Sequence, residues 1–185
     1  MGPHNGTRDE ASQLVEAAQQ VRKARHLLPF ILLAVNTGCR KNELFSLEWS
    51  RVDLKAGRFT LEGDNTKSGK RRIIPINHAA LDAPMTRRLF ADRYCSKTNG
   101  VFCRKNGTRF DDVGRGFRTA CDIANIKDFR VHDLRHTFAS WLVAGEVPLI
   151  HVRDLLGHST IRMTERYGHL AQESLIRAVS TLDIQ

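Results

Sequence analysis

The run HLLPFILLAVNTG (26–38) is the feature that most limits how this chain can fold. It is apolar on all sides of a helix, so it has to be surrounded by protein rather than lie on a surface. Gly38 follows its last apolar turn, and glycine at such a position commonly closes a helix in a left-handed conformation. We therefore predict a buried central helix that ends at Gly38.

The sequence on either side predicts further helices. Thr7 and Glu10 have the spacing of a capping box, and Leu14, Ala18 and Val21 recur at helical intervals, which predicts a first helix over about 8–24. The other predicted helices are RKNELFSL (40–47), a stretch near 86–94, DVGRGFRTACDIA (112–124), HDLRHTFASWLVAG (132–145), PLIHVRDLLG (148–157), TIRMTERYG (160–168) and AQESLIRAVSTL (171–182).

Three short runs predict a sheet. SRVDL (50–54), RFTLEG (58–63) and RRIIPI (71–76) are separated by turn residues, which is typical of antiparallel strands. A short VFCR run and a turn at Asn106-Gly107 follow. The expected fold class is mainly α with a small three-stranded antiparallel sheet (α+β).

Composition narrows the functional classes. With 185 residues and 41% hydrophobic residues, the chain can bury the core of one compact domain. Its 29 Lys and Arg against 20 Asp and Glu give a net charge of +9, which is typical of a protein that binds a polyanion. The four cysteines form no metal-binding or disulfide-like pattern, and no apolar run approaches the roughly 18 residues of a membrane span. We expect a cytoplasmic protein.

Several polar residues have both an ordinary and a chemical interpretation. Arg40 and Glu43 lie one helical turn apart, as in many surface ion pairs, but an arginine held this way also suits phosphate oxygens. Lys67 lies in a charged turn, either solvated or able to reach DNA or deliver a proton. His132 and Arg135 share a helix face, which in isolation is most often a surface pair.

Tyr167 could be an ordinary surface aromatic or a reactive residue. It is one of two tyrosines, and few apolar residues lie near it in the sequence. Its charged and polar neighbours are Arg162, Arg166, His158 and His169. A free phenol has a pKa of about 10, and nearby cations would lower it and favour the attacking phenolate.

In combination these residues supply what phosphodiester transesterification needs. Tyr167 is the candidate nucleophile, and Arg40 and Arg135 would balance the charge of a pentavalent phosphorane. Lys67 is the candidate general acid for the leaving 5′ oxygen, a role worth about 10²–10⁴ in rate. His158 follows Gly157 closely enough for a tight turn to bring it near Tyr167.

The ordered motifs TGCRKNEL, TKSGKRRIIPI, HDLRHTFASWL, LLGHSTI and TERYGHL resemble the catalytic domain of the tyrosine recombinases, the phage integrase and Xer-like family. The resemblance extends over about 8–172. It includes the spacing His132-x-x-Arg135, the 23 residues from Arg135 to His158 and the nine from His158 to Tyr167. It implies the family's catalytic-domain fold and strand exchange through a 3′-phosphotyrosyl link.

The resemblance also assigns residues to roles. The six implied catalytic positions are Arg40, Lys67, His132, Arg135, His158 and Tyr167. Glu43 and Asp133 match supporting acidic positions, and we expect Asp133 to buttress the arginines. Lys70, Arg71 and Arg162 are expected to bind DNA, and His136 to be structural.

The expected organisation is a leader or cloning remnant at 1–6, a catalytic domain at 7–169 and a C-terminal helix at 170–185. The helix carries an apolar stripe that either docks on its own domain or is exchanged with a partner protomer. Complete family members have an upstream DNA-clamping domain, for which Arg40 lies too near the start, so we expect a catalytic fragment or a short member. The implied partners are double-stranded DNA and other copies of the chain in a tetrameric synapse, in a bacterial or phage-derived, nucleoid-associated setting without metal or cofactor.

Three alternatives remain open. A metal-dependent phosphohydrolase could use ligands from His132, Asp133, His151, Asp154 and His158, although Gly157 interrupts the helix before the last of them. A basic DNA-binding module would bind without cleaving. A type IB topoisomerase uses similar residues and rejoins the same strand.

Overall fold

The computed structural model describes residues 6–63, 69–171, 179–180 and 182. Its α helices are α1 (Arg8–Gln20), α2 (Leu27–Thr37), α3 (Lys41–Phe45), α4 (His78–Tyr94), α5 (Gly114–Ile123), α6 (Asp133–Ala144), α7 (Leu149–Leu156) and α8 (Arg162–Glu165). Short 3-10 helices occur at Arg22–Ala24, Trp49–Arg51 and Gly168–Ala171. The strands β1 (Val52–Asp53), β2 (Arg58–Leu61) and β3 (Arg72–Pro75) form an antiparallel sheet in that order. The predicted fold class is confirmed.

Helix α2 is the buried centre that its apolar sequence predicts. Leu27, Phe30 and Leu33 are fully buried, and α1, α4 and α6 all pack against the helix. Gly38 closes it with φ of +63° and donates its N–H to the carbonyl of Ala34 at 3.0 Å. A Cβ at Gly38 would lie 2.4 Å from Cδ1 of the Phe138 ring in α6, so glycine is needed for space as well as for conformation.

The capping box of α1 is confirmed, but the end of the helix is not. Thr7 Oγ1 accepts the N–H of Glu10 at 3.1 Å, and the Glu10 carboxylate accepts the N–H of Thr7 at 2.8 Å. The helix ends at Gln20 instead of continuing to 24, because Val21 leaves helical geometry with ψ of 71°. Helix α4 begins well before the predicted 86, because Asn77 Oδ1 caps the N–H of Ala80 at 3.1 Å.

In the VFCR run, Cys103 forms an isolated bridge with Arg109. Gly6, placed in the leader by its sequence, donates its N–H to Thr137 Oγ1 at 2.9 Å and accepts the indole N–H of Trp141 at 3.0 Å. Both bonds join Gly6 to α6. None of the helices in the described ranges has the length and apolar composition of a membrane span.

A smaller apolar cluster lies beside the main core and is built from α6, α7 and the segment after α8. Its buried members are Phe138, Ala139, Val143, Val152, Leu156 and Tyr167. Helix α7 ends in this cluster, where Gly157 turns the chain with φ of +64°. The cluster thereby brings the ends of α6, α7 and α8 close to the end of α2.

Candidate active site

Arg135 links the C-terminal ends of α2 and α7 through its guanidinium. Its guanidinium donates from Nη1 to the carbonyl of Gly38 at 2.6 Å and from Nη2 to that of Leu156 at 2.7 Å. Carbonyls at helix C-termini have no partner within the helix and carry partial negative charge, so a cation suits them. Burial, and then the charge of Arg40, lowers the pKa of Arg135 to about 10, and the side chain stays protonated at neutral pH.

Glu43 holds two further arginines. Its Oε1 lies 2.8 Å from Nη1 of Arg40, while Oε2 accepts the backbone N–H of Arg40 at 2.7 Å. Oε2 also accepts Nη2 of Arg72, again at 2.7 Å. The carboxylate is almost fully buried, so this one group fixes both guanidiniums. The predicted Arg40–Glu43 pair is present as half of a larger arrangement.

Arg72 is a member of the site that the sequence interpretation missed. Its side chain is only 9% exposed, and Nε and Nη1 are buried without a hydrogen-bond partner among the described residues. A Cβ on Gly157 would lie 2.1 Å from Nη1, so the guanidinium occupies the space that glycine leaves. Strand alternation could have indicated this: Arg72 and the buried Ile74 face the same side of β3.

His158 lies directly after that turn. Its Nδ1 is 2.9 Å from Oγ1 of Thr164, a fully buried hydroxyl that the sequence interpretation did not single out. Burial lowers the pKa of His158 to about 4, helped by the charges of Arg135, Arg40, Arg166 and Arg72. The neutral ring can accept the Thr164 hydroxyl at Nδ1, which leaves an N–H at Nε2 to donate to a ligand.

Tyr167 is not the poorly packed surface aromatic that its neighbours in sequence suggest. It is 3% exposed and belongs to the smaller apolar cluster, because the folded chain supplies the apolar contacts that the local sequence lacks. Its Oη lies 2.5 Å from Nδ1 of His136. Burial raises the pKa of Tyr167, and the charges of Arg166 and Arg135 offset this only in part. The expected net lowering by cations is therefore wrong for the DNA-free protein.

His132 and Asp133 lie at the start of α6. The ring of His132 meets that of His136 edge-on, with centroids 4.9 Å apart. Burial and the charge of Arg135 lower the pKa of His132, while Asp133 opposes this. Asp133 Oδ2 accepts the backbone N–H of Arg130 at 2.7 Å, so it anchors the start of the helix. The carboxylate that pairs with Arg40 and Arg72 is that of Glu43 and not that of Asp133.

The remaining predicted residues lie outside this cluster or outside the described residues. Lys67 falls in 64–68, which the structure does not describe. Lys70 and Arg162 are exposed. Arg71 is 68% exposed, with Nε 3.6 Å from a carboxylate oxygen of Glu62.

The ligand set for a metal-dependent phosphohydrolase does not form within the described residues. No three His, Cys, Asp or Glu side chains there lie close enough together to hold a metal ion. His151 is exposed, and the Asp154 carboxylate pairs with Arg153 at 2.6 Å.

The arrangement gathers four arginines, Arg40, Arg72, Arg135 and Arg166, around neutral histidines and a tyrosine. Arg72 and Arg135 are largely buried, Arg40 is partly exposed and Arg166 is exposed. Arginines gathered with little carboxylate to neutralise them favour a bound anion, and their planar forks match phosphate oxygens.

Comparison with known proteins agrees with this geometry. The model of the phage integrase family matches residues 5–174. The integrase of Salmonella phage P22 is 29% identical over 187 residues, covering 94% of this chain and 46% of the relative. The solved catalytic domain of bacteriophage HP1 integrase superposes with a TM-score of 0.71 at 28% identity, over 97% of this chain and 95% of that domain.

A further solved structure, XerH site-specific recombinase bound to its palindromic difH substrate after cleavage, gives a TM-score of 0.76 at 23% identity. It is matched over 96% of this chain and 53% of the recombinase. The chain spans about half the length of the P22 integrase and of the XerC recombinases it matches. Given the family match over nearly its whole length and the agreement with an isolated catalytic domain, the chain belongs to the phage integrase family of tyrosine recombinases.

Proposed function

We propose that this chain is the catalytic domain of a site-specific DNA recombinase that cuts and rejoins DNA strands through a 3′-phosphotyrosyl link to Tyr167. The observation that carries the proposal is the electrostatic setting of His158. Burial, and then the charges of Arg135, Arg40, Arg166 and Arg72, lower its pKa, and the carboxylate that pairs with two of these arginines is that of Glu43. This excess of positive charge next to a tyrosine suits one phosphodiester and its transition state.

The reaction exchanges one phosphodiester for another. Tyr167 Oη attacks the phosphorus, the O–P bond forms, and the bond from phosphorus to the 5′ oxygen breaks. The liberated 5′ hydroxyl of the same or another strand then attacks the phosphotyrosine and restores the DNA. Because each step replaces one ester by another, no external energy source is needed.

The arginines act on the charge that develops at phosphorus. Glu43 holds the guanidiniums of Arg40 and Arg72. Two backbone carbonyls hold that of Arg135. The three side chains are therefore in position before the substrate binds. Preorganised donors of this kind stabilise a transition state without reorganisation at the moment of reaction. His158, braced by Thr164, would donate from Nε2 to a non-bridging oxygen.

Two roles rest on the family's pattern of residues. His132 would contact the same phosphate from the start of α6. Lys67 would protonate the leaving 5′ oxygen, as the general acid, from the hairpin between β2 and β3. Lys70, Arg71 and Arg162 would contact the DNA backbone through their charges.

The proposed partner is double-stranded DNA in the bacterial cytoplasm, at the nucleoid. The support is the net charge of +9 and the DNA-bound state of the structurally similar XerH. We further propose that copies associate on DNA through residues 170–185. Val179 and Leu182 in that segment are 66% and 76% exposed, whereas Leu175 and Ile176 lie outside the described residues. Removing 172–185 should abolish cooperative binding to a two-site duplex while leaving binding to one site.

The test of the proposed chemistry is a covalent adduct. The protein is incubated with a pool of nicked duplexes of randomised sequence in EDTA, and adducts that resist denaturation are isolated and sequenced. Mass spectrometry should place the nucleotide on Tyr167. Tyr167→Phe should abolish the adduct and retain DNA binding, and the matched control Tyr94→Phe should retain both.

The outcome also separates the alternatives. Salt-sensitive DNA retention without an adduct in the wild-type protein would identify a binding module and refute the proposed chemistry. Adducts that only reseal the original strand, with no transfer to a second duplex, would favour a topoisomerase-like reaction.

A further inference from the structure

We propose that His136 orients the nucleophile and accepts its proton: its Nδ1 takes the hydrogen bond of the Tyr167 hydroxyl and receives the proton as the phenol attacks. This rests on the proposed function. It gives a chemical task to a histidine outside the set that the sequence assigned to catalysis.

The geometry places His136 on the reacting atom. Nδ1 and Oη are 2.5 Å apart, at the short end of hydrogen-bond distances, and both side chains are more than 90% buried. His132, the N-cap residue of α6, meets the His136 ring with its own ring edge-on. The two histidines therefore have separate places, with His136 at the phenol and His132 beside it.

The packing leaves the phenol little freedom. The Tyr167 ring is held in the apolar cluster with Phe138, Val152 and Leu156, and the hydroxyl points to the imidazole. A neutral imidazole with its proton on Nε2 presents a lone pair at Nδ1 to that hydroxyl. The direction of the O–H bond, and with it the lone pairs that attack phosphorus, is then set before DNA arrives.

The charges around the pair favour this proton position in the free protein. Burial, together with the charges of His132, Arg166 and Arg135, lowers the pKa of His136 to about 4, while Asp133 opposes this. The pKa of Tyr167 is raised by burial, so the phenol keeps its proton at neutral pH. A bound phosphodiester brings a negative charge that offsets the arginines and makes the imidazole more basic when the proton must move.

The step balances without another reactant. Oη forms its bond to phosphorus, its proton moves to Nδ1 of His136, and the bond to the 5′ oxygen breaks with protonation of that oxygen by the general acid. In the rejoining step the proton on His136 returns to Oη as the tyrosine leaves. One side chain thus serves as base in cleavage and as acid in rejoining.

The first test is a pH titration of Tyr167 in the absence of DNA. The chain has only two tyrosines, so one substitution is enough to isolate its signal. In a Tyr94→Phe background, the ultraviolet absorbance of tyrosinate follows Tyr167 alone. His136→Phe should raise the Tyr167 pKa by about one unit, because the imidazole can also donate to the phenolate and a charge-assisted hydrogen bond is the stronger one. His136→Asn, with an amide near the Nδ1 position, should shift it less, and His151→Phe at an exposed site should not shift it.

An unchanged Tyr167 pKa in a folded His136→Phe protein would overturn the proposal. If that variant does not fold, the ¹⁵N shifts of His136 in the wild-type protein supply the decision, and the signals that are lost in His136→Asn assign them. Those shifts should show a neutral ring protonated at Nε2 at pH 7. A ring protonated at Nδ1, with its N–H donated to the phenol oxygen, would equally refute the assignment.

The second test distinguishes proton transfer from the nucleophile from protonation of the leaving group. Nicked DNA with sulfur in place of the bridging 5′ oxygen has a leaving group that needs no general acid. His136→Phe and His136→Asn should form the adduct about 10²–10⁴ times more slowly with either leaving group, whereas Lys67→Ala should recover with sulfur. Recovery of the His136 variants with sulfur would place the residue at the leaving group and refute the proposal. A wild-type protein that forms no adduct would instead refute the proposed function, while the titration would still decide the His136 contact.

Discussion

Replacing Gly157 with alanine should destabilise the protein by more than its backbone conformation alone requires. A left-handed conformation such as φ of +64° costs an alanine about 1–2 kcal/mol. The added methyl would also lie 2.1 Å from Nη1 and 2.8 Å from Cζ of Arg72, so the guanidinium has to move away. That movement separates it from Glu43, which it contacts at 2.7 Å, and breaking a buried ion pair costs about 3–5 kcal/mol. Because the displaced side chain recovers some hydration, we expect a total loss of about 3–5 kcal/mol.

Urea denaturation of matched variants measures this loss. Gly107→Ala is the control, since Gly107 has φ of +81° and its nearest neighbour would be Thr98 Cβ at 3.9 Å. The control should lose only the conformational cost, about 1–2 kcal/mol. In an Arg72→Leu background the penalty of Gly157→Ala should fall toward that of the control, because the ion pair is already absent. Equal losses for the two alanine variants in the wild-type background would refute the reasoning.

Three further predictions concern single ionisable side chains. Glu43→Gln removes the charge that holds two guanidiniums, and it should lower the free energy of unfolding by about 2–4 kcal/mol in chemical denaturation; an unchanged midpoint would contradict the buried pairing. Lys67→Ala should slow adduct formation about 10²–10⁴ times with an oxygen leaving group, whereas the neighbouring Lys70→Ala should mainly weaken DNA binding and reduce its salt dependence. Burial and the charges of Arg87 and Arg104 lower the pKa of His26 to about 4. Between pH 6.5 and 4 the unfolded chain therefore binds more protons than the folded one. The free energy of unfolding should fall as the pH is lowered through that range. Substituting Asn for His26 should flatten that loss, as followed by thermal unfolding at pH 7, 5.5 and 4.

The sequence predicted those features that depend on neighbouring residues. The capping box at Thr7, the glycine end of α2 and the Arg40–Glu43 pair are all set within one or two turns of the chain, and the structure contains each of them. The family motifs likewise rest on short, ordered spacings.

The features that the sequence did not predict depend on distant parts of the chain. The position of Arg72 against Gly157 joins β3 to the end of α7, across residues that no local pattern relates. The burial of Tyr167 comes from α6 and α7, so its charged neighbours in sequence suggested the wrong surroundings and the wrong direction of its pKa. The contact of Tyr167 with His136 spans 31 positions and has the same origin.

The two carbonyls held by Arg135 also bear on when the candidate site can assemble in a newly made chain. One belongs to Gly38 and the other to Leu156, which is synthesised after it. Until α7 has been synthesised and has packed, Arg135 can bind only the carbonyl of Gly38. Tyr167 then also lacks the α7 side chains of the smaller apolar cluster. A nascent chain therefore carries Arg40 and Arg135 before it can hold Tyr167 in position.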